Sequence, residues 1–273
     1  MERLKQFAFQ RPVWFSALLI LISVALTELP LEQVLATVMD ERLSRYIAWA
    51  TMQFTASLGL LALARYLGLW AGLGFTTPRR WKDLWVLWPL ALLTLLNASD
   101  WLAGQLVIDT SRPVHILFFA LFYLSVGIFE ELLGRGVVLM LMVRAWGDRP
   151  RGMYRAVLAS SGLFALGHIA NMLMGRYSVL AGMAQIVFSL FFAVFFAACM
   201  LRNRTIVPVM LMHAVFDFAG ALEEIAVGGG LFEHTYVVTW SSALTSVLIT
   251  LPLFVYGMFL LRKVQHAQPP WHP

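Results

Sequence analysis

The sequence predicts an all-α polytopic membrane protein of about eight transmembrane helices enclosing an intramembrane cavity. Two observations carry the class. The 273 residues are 60% hydrophobic and only 13% charged, far from the composition of a soluble domain. Eight apolar stretches of membrane-spanning size follow one another with short connections. A third observation predicts a polar interior: Glu130 and Glu131, followed by Arg135, stand in the middle of one such stretch. An ionised side chain at a bilayer centre costs about 2.5 to 3.5 kcal/mol on insertion scales, so it persists where it faces a polar interior and has a task.

The apolar segments lie near 13–29, 46–69, 84–107, 114–143, 154–173, 178–201, 206–222 and 236–261. The first follows Arg3, Lys5 and Arg11, as a secretory signal would. Ser23 to Ala25 is a poor cleavage site, however, and seven spans follow, so a retained anchor is expected. Leu29 to Asp40 fits a short interfacial helix. The segment 76–83, TTPRRWKD, reads as a cytoplasmic turn, and GDRPRG at 147–152 separates the fourth helix from the fifth. The tail 266–273, HAQPPWHP, is expected to be disordered. With no repeat or low-complexity block, a single integral membrane domain covers 1–273, and its motif-bearing core is 114–222.

The net charge of +5 is spread along short connections, with no basic stripe, so no nucleic-acid partner is expected. Orientation is the better use for it. Alternating the connections between two sides puts fourteen Lys and Arg on the side of the N-terminus and only Arg42, Arg45, Arg112 and Arg176 on the other. The positive-inside rule then places both termini in the cytoplasm, and the compact chain suits a bacterial cytoplasmic membrane. Cys199 is the only cysteine, so no intrachain disulfide or cysteine-rich metal site forms.

Within the fourth span, Glu131 and Arg135 are four apart with the acid first, the favourable order for a helical ion pair. Glu130 points about 100° away from Glu131 and is left free. Gly134 beside it leaves room for water or substrate. The fifth span places Phe164 and His168 on one face, with Asn171 three residues further on. The seventh places His213 and Asp217 on one face. Each group alone has a structural reading, as helix glue or a satisfied packing residue. Their depths make the coincidence informative: at about 1.5 Å per residue, Glu130, His168, Asp217 and His213 lie roughly 20, 21, 16 and 10 Å from the cytoplasmic ends of their spans. Four ionisable groups on three helices can therefore share one site. Elsewhere, Asn97 and Asp100 line a polar interior or end the third span, Arg65 snorkels, and Glu223, Glu224 and Glu233 belong to a solvated outer loop. Gly68 and Gly72 are a weak packing signal.

A carboxylate with an imidazole nearby can activate a water, and a second imidazole facing it can donate to the oxygen that becomes negative when a carbonyl is attacked. These parts describe amide hydrolysis. Glu130, Glu131 and Arg135 match EExxxR, Phe164 and His168 match FxxxH, and His213 with Asp217 matches HxxxD/N. In that order the chain resembles the CAAX-protease and bacteriocin-processing (CPBP, or abortive-infection) family. The resemblance implies an eight-helix intramembrane glutamic endopeptidase, without cofactor, acting on membrane-associated peptides or proteins that are lipidated in eukaryotic cases. It implies Glu130 as catalytic acid/base, His168 as the residue positioning water, His213 and Asp217 as the oxyanion side, and Glu131, Arg135, Phe164 and Gly134 as support. Asp217 departs from the asparagine of the prenyl-protein proteases. An ionised Asp cannot donate to an oxyanion, so it must be protonated or hold His213 in the donating tautomer.

Two other classes compete. A zinc hydrolase would use His168, His213 and either Glu130 or Asp217, although no HExxH helix is present. A non-catalytic peptide-binding or immunity protein, or a proton-linked transporter, would also place Glu and His within the membrane; the absence of an inverted repeat disfavours the transporter. ASSG at 159–162 lacks the first glycine of a rhomboid-like GxSG, and no GxGD occurs. The protease reading expects a cavity opening toward the cytoplasm or laterally into lipid.

Overall fold

The computed structural model describes residues 2–75, 81–149, 151–230 and 235–264. The 266–273 tail, Glu233 and most of the 76–83 turn lie outside them.

Helix starts follow local chemistry. Helix α1 (Glu2–Gln10) leads into α2 (Pro12–Thr27), which begins with Pro12, whose missing N–H costs nothing in a first turn. After the short α3 (Leu31–Leu35), Asp40 caps α4 (Glu41–Tyr66) by accepting from the Leu43 N–H at 3.1 Å. Helix α5 (Trp70–Leu73), a 3₁₀ turn at Trp81–Leu87, α6 (Trp88–Asn97) and α7 (Ser99–Leu102) precede α8 (Pro113–Glu131). Helix α8 runs without a break into a π-helical segment, Leu132–Leu139, and on into α9 (Met140–Trp146). Then come α10 (Gly152–Gly167), α11 (Ile169–Leu173), α12 (Val179–Asn203), α13 (Val207–Gly220), a 3₁₀ turn at Leu222–Ile225 and α14 (Trp240–Val264).

The all-α membrane architecture holds, and six of the eight expected spans have the length to cross a membrane unaided. Among the described residues, six helical stretches are long and apolar enough to cross a membrane: Pro12–Leu35, Glu41–Tyr66, Pro113–Trp146, Gly152–Leu173, Val179–Asn203 and Trp240–Val264. The other two expected spans are shorter apolar helices, Asp83–Asn97 and Val207–Gly220. Fourteen helical residues rise about 21 Å, less than the roughly 30 Å hydrocarbon core. The third apolar segment stops because the chain turns at Ala98 and again at Gly104, whose φ of 73° needs a glycine. The segment expected to be helical outside the membrane, Leu29 to Asp40, contains α3.

Two ends of the bundle are built differently. At the end that carries the N-terminus, termed inner as a label only, Ile206 N–H donates to Leu73 C=O at 2.9 Å, and the Arg144 guanidinium sits 4.3 Å over the Phe9 ring. Residues 131–143 and 193–200 are buried throughout and fill this half. At the outer end the connections are laced by polar contacts. Arg45 pairs with Glu32 at 3.1 Å, Arg176 with Glu28, and Arg42 donates to Gly229 C=O at 2.7 Å. Backbone bonds from Asp109 to Ile225, Val227 to Val107 and Tyr236 to Arg176 join the loops.

Glu223 is exposed as expected, but Glu224 is not a solvated loop acid. It accepts from Tyr46 Oη at 3.0 Å and Tyr123 Oη at 2.9 Å, and burial pushes its carboxyl above the usual range despite those donors. Asn97 and Asp100 are exposed, and Arg65 is exposed with its guanidinium 5.9 Å over Trp70.

Candidate active site

Helix α8 packs between α4 and α13. Its approach to α13 is set by Gly127: a Cβ there would stand 2.5 Å from Met210 C=O and 2.7 Å from Ala214 N. Only hydrogen fits, so the two backbones touch and the polar residues one turn on are brought face to face. Glu131 Oε1 accepts from His213 Nδ1 at 2.7 Å. His213 Nε2 faces Asp217 Oδ2 at 3.3 Å and Glu130 Oε2 at 3.8 Å. The imidazole thus bridges three carboxylates from two helices, stacked on Phe196 with centroids 5.2 Å apart. Because Nδ1 donates to Glu131, Nε2 confronts a second acceptor, and a proton must lie between it and Asp217.

The expected Glu131–Arg135 pair is present. Arg135 Nη1 lies 3.0 Å from Glu131 Oε1, with side chains 3% and 0% exposed. The contact is an ion pair without hydrogen-bond alignment, and Arg135 Nε and Glu131 Oε2 have no hydrogen-bond partner among the described residues. The guanidinium is instead held between two rings, 4.7 Å from Phe164 and 5.2 Å from Phe196. The π-helical segment carries it there: all of Leu132–Leu139 is buried, and such wide turns often occur at functional sites.

Three details depart from the expectation. The space beside Gly134 is filled by the Phe164 ring, whose Cδ2 would lie 3.0 Å from an added Cβ, so the glycine makes room for Phe164 rather than for water. Glu131 is shared between Arg135 and His213 instead of serving Arg135 alone. The imidazole nearest Glu130 is that of His213, not His168. His168 sits where α10 ends and α11 begins, edge-on to Phe164 at 5.4 Å. Asn171, one turn further, donates to Gln185 Oε1 at 3.0 Å.

Glu130, Phe164, His168 and Asn171 line a cavity of ≈ 1180 Å³. It does not run to the side of the termini. Its wall climbs along Gln53, Trp49 and Arg45 of α4 and along α12 from Phe192 to Ala181, and reaches Glu28, Arg176 and Tyr236 at the outer end. Glu130 is 23% exposed in its side chain, against 12% for His213 and 28% for Asp217. Of the three carboxylates around His213 only Glu130 lines the cavity, backed by that imidazole and with a second imidazole, His168, on the same wall. Among the described residues, no three His, Cys, Asp or Glu side chains are grouped to hold a metal ion.

Sequence reasoning had no handle on Phe196, one apolar residue in an apolar run. Gly127 did leave a signal, as a small residue three positions before the acid pair.

Residues 112–219 match the Rce1-like family of type II CAAX prenyl endopeptidases. That stretch is similar to the CAAX proteases. It runs from the start of α8 to the end of α13 and so contains the acid pair, His168, His213 and Asp217. The match supports a membrane peptide hydrolase and agrees with the resemblance carried by the three motifs. No curated protein and no solved structure matches the chain.

Proposed function

We propose that the protein is an intramembrane endopeptidase in which Glu130 activates water for attack on a peptide bond. The observation that carries this is the sharing of His213 among Glu131, Asp217 and Glu130 beside a cavity lined by Glu130 and His168. Three carboxylates meet one guanidinium and one imidazole. Even with both ring nitrogens protonated, the group keeps one negative charge. Glu131 is committed to Arg135 and His213 and Asp217 to His213, which leaves Glu130, the one of the three that lines the cavity, as the base.

Glu130 takes a proton from a water held by His168, and the hydroxide oxygen bonds to the scissile carbonyl carbon. The carbonyl oxygen becomes negative, and a His213 imidazolium held by Glu131 and Asp217 offsets that charge without donating to it directly. Glu130 then returns the proton to the amide nitrogen, the C–N bond breaks, and a carboxylic acid and an amine leave. General base catalysis of this kind contributes about 10²- to 10⁴-fold. The lysines and arginines of the inner end support a topology with both termini in the cytoplasm. The substrate class is a membrane-associated peptide or protein, lipidated or not.

The test is quantitative comparison of membrane and released peptides between cells making the wild type and Glu130→Gln. Peptides with a new C-terminus that depend on Glu130 support the reading. Identical peptide sets with both variants inserted and folded would overturn it in favour of a binding or transport role. Stoichiometric zinc in the purified protein, with activity lost to a chelator, would replace the glutamic mechanism by metal-assisted hydrolysis.

A further inference from the structure

We propose that the cavity is loaded from the non-cytoplasmic face, so that the substrate is a polypeptide segment exposed on that side of the membrane. The claim rests on the protease reading for what enters, and on the inner-end lysines and arginines for which side is which. The two halves of the bundle differ in packing. Inward of Glu130, residues 131–143 of the α8–α9 rod and 193–200 of α12 are buried without exception. Protein interiors packed at that density leave no passage for a chain. Outward, the same two rods become partly exposed: α12 is only intermittently buried from Met183 to Phe192, and the cavity occupies the space between.

The mouth identifies the end. Glu28, Glu32, Arg45, Arg176, Thr235 and Tyr236 line the cavity there. These residues belong to connections that carry only four arginines, whereas the opposite connections carry fourteen lysines and arginines. The positive-inside rule assigns the crowded end to the cytoplasm, and the mouth therefore faces away from it. Among the described residues, the inner connections at 74–75, 144–149, 151–152 and 202–206 contribute nothing to the lining.

Shape and chemistry fit an extended peptide. Along α12 the wall runs from Ala181 to Phe192, a rise of about 17 Å, which about five extended residues would span. The volume exceeds the roughly 300 to 1,000 Å³ of pockets for single small molecules. Gln53, Asn171, Gln185, Thr245 and Ser246 supply side-chain donors and acceptors along the way, as a strand with unpaired backbone groups requires.

The experiment is thiol labelling in right-side-out and inside-out membrane vesicles, starting from a Cys199→Ala parent because the native thiol is buried. Single cysteines are placed at the mouth (Thr235→Cys), in the wall one turn from Glu130 (Val126→Cys) and at the inner end (Asp148→Cys), and a charged, membrane-impermeant thiosulfonate is applied. The expected result is labelling of Thr235→Cys and Val126→Cys in right-side-out vesicles and of Asp148→Cys in inside-out vesicles only. Labelling of Val126→Cys from the cytoplasmic side alone, or from neither side while Thr235→Cys reacts, overturns the proposal, as does labelling of Asp148→Cys from outside. Ala184→Cys, on the opposite wall, serves if Val126→Cys does not fold. The readout needs no catalysis, so a negative result here is distinct from failure of the Glu130→Gln peptide comparison.

Discussion

Gly127→Ala is the most informative single perturbation, because it leaves every polar residue in place and changes only their spacing. The new Cβ would stand 2.5 Å from Met210 C=O, a backbone atom that cannot rotate away. Restoring an ordinary contact near 3.4 Å requires α13 to withdraw by about 0.9 Å, and overpacking of this kind costs about 1 to 3 kcal/mol. A withdrawal of that size would stretch the 2.7 Å Glu131–His213 bond to about 3.6 Å, beyond hydrogen-bond length. Losing a bond to a charged group removes a further ~1.5 to 3 kcal/mol. A displacement near 1 Å at a reacting centre lowers rates by about 10²-fold. Denaturation in detergent micelles and cleavage of a substrate found by the peptide comparison measure both effects. A Gly127→Ala protein with wild-type stability and turnover would refute the claim that α8–α13 contact sets the site.

Other outcomes follow from single contacts. Arg135→Ala leaves the fully buried Glu131 without its guanidinium, and unfolding in micelles should become easier by about 3 to 5 kcal/mol. Asp217→Asn keeps an acceptor for His213 Nε2 and should retain cleavage within about tenfold, whereas Asp217→Ala should lose about 10- to 10²-fold through a free imidazole; equal rates for the two would deny Asp217 a role in turning the ring. Asp40 is held below the usual carboxylate range: its slight burial acts upward but is outweighed by the Leu43 N–H and by His115. Its contribution is therefore complete above the unfolded value near pH 4 and is lost as pH falls through the lower folded value. Asp40→Ala should accordingly destabilise by about 1 kcal/mol at neutral pH and by progressively less in an acid titration below about pH 4.

What was legible in the sequence was whatever a single helix decides. The Glu131–Arg135 and His213–Asp217 pairs are one turn apart, and helical geometry alone makes them neighbours. Apolar run length gave the long spans for the same reason. Contacts between helices were not legible in detail. The Glu131–His213 bond joins residues 82 apart in sequence and depends on a glycine whose importance lies in a backbone it touches on another helix. The occupant of the space beside Gly134 was misjudged because Phe164 comes from α10. Glu224 looked like a loop acid because its two tyrosines stand on α4 and α8. The direction of the cavity depends on which half of each rod is packed, and a uniform apolar run carries no mark of that.

The central claim is that Glu130 makes a water molecule the nucleophile. It is tested most directly by cleaving the identified substrate with purified protein in ¹⁸O-enriched water, comparing wild type with Glu130→Gln at matched folding. The account predicts one ¹⁸O atom in the new C-terminal carboxylate from the wild type, and a rate lower by about 10²- to 10⁴-fold in the variant. Undiminished, singly labelled cleavage by Glu130→Gln would contradict it.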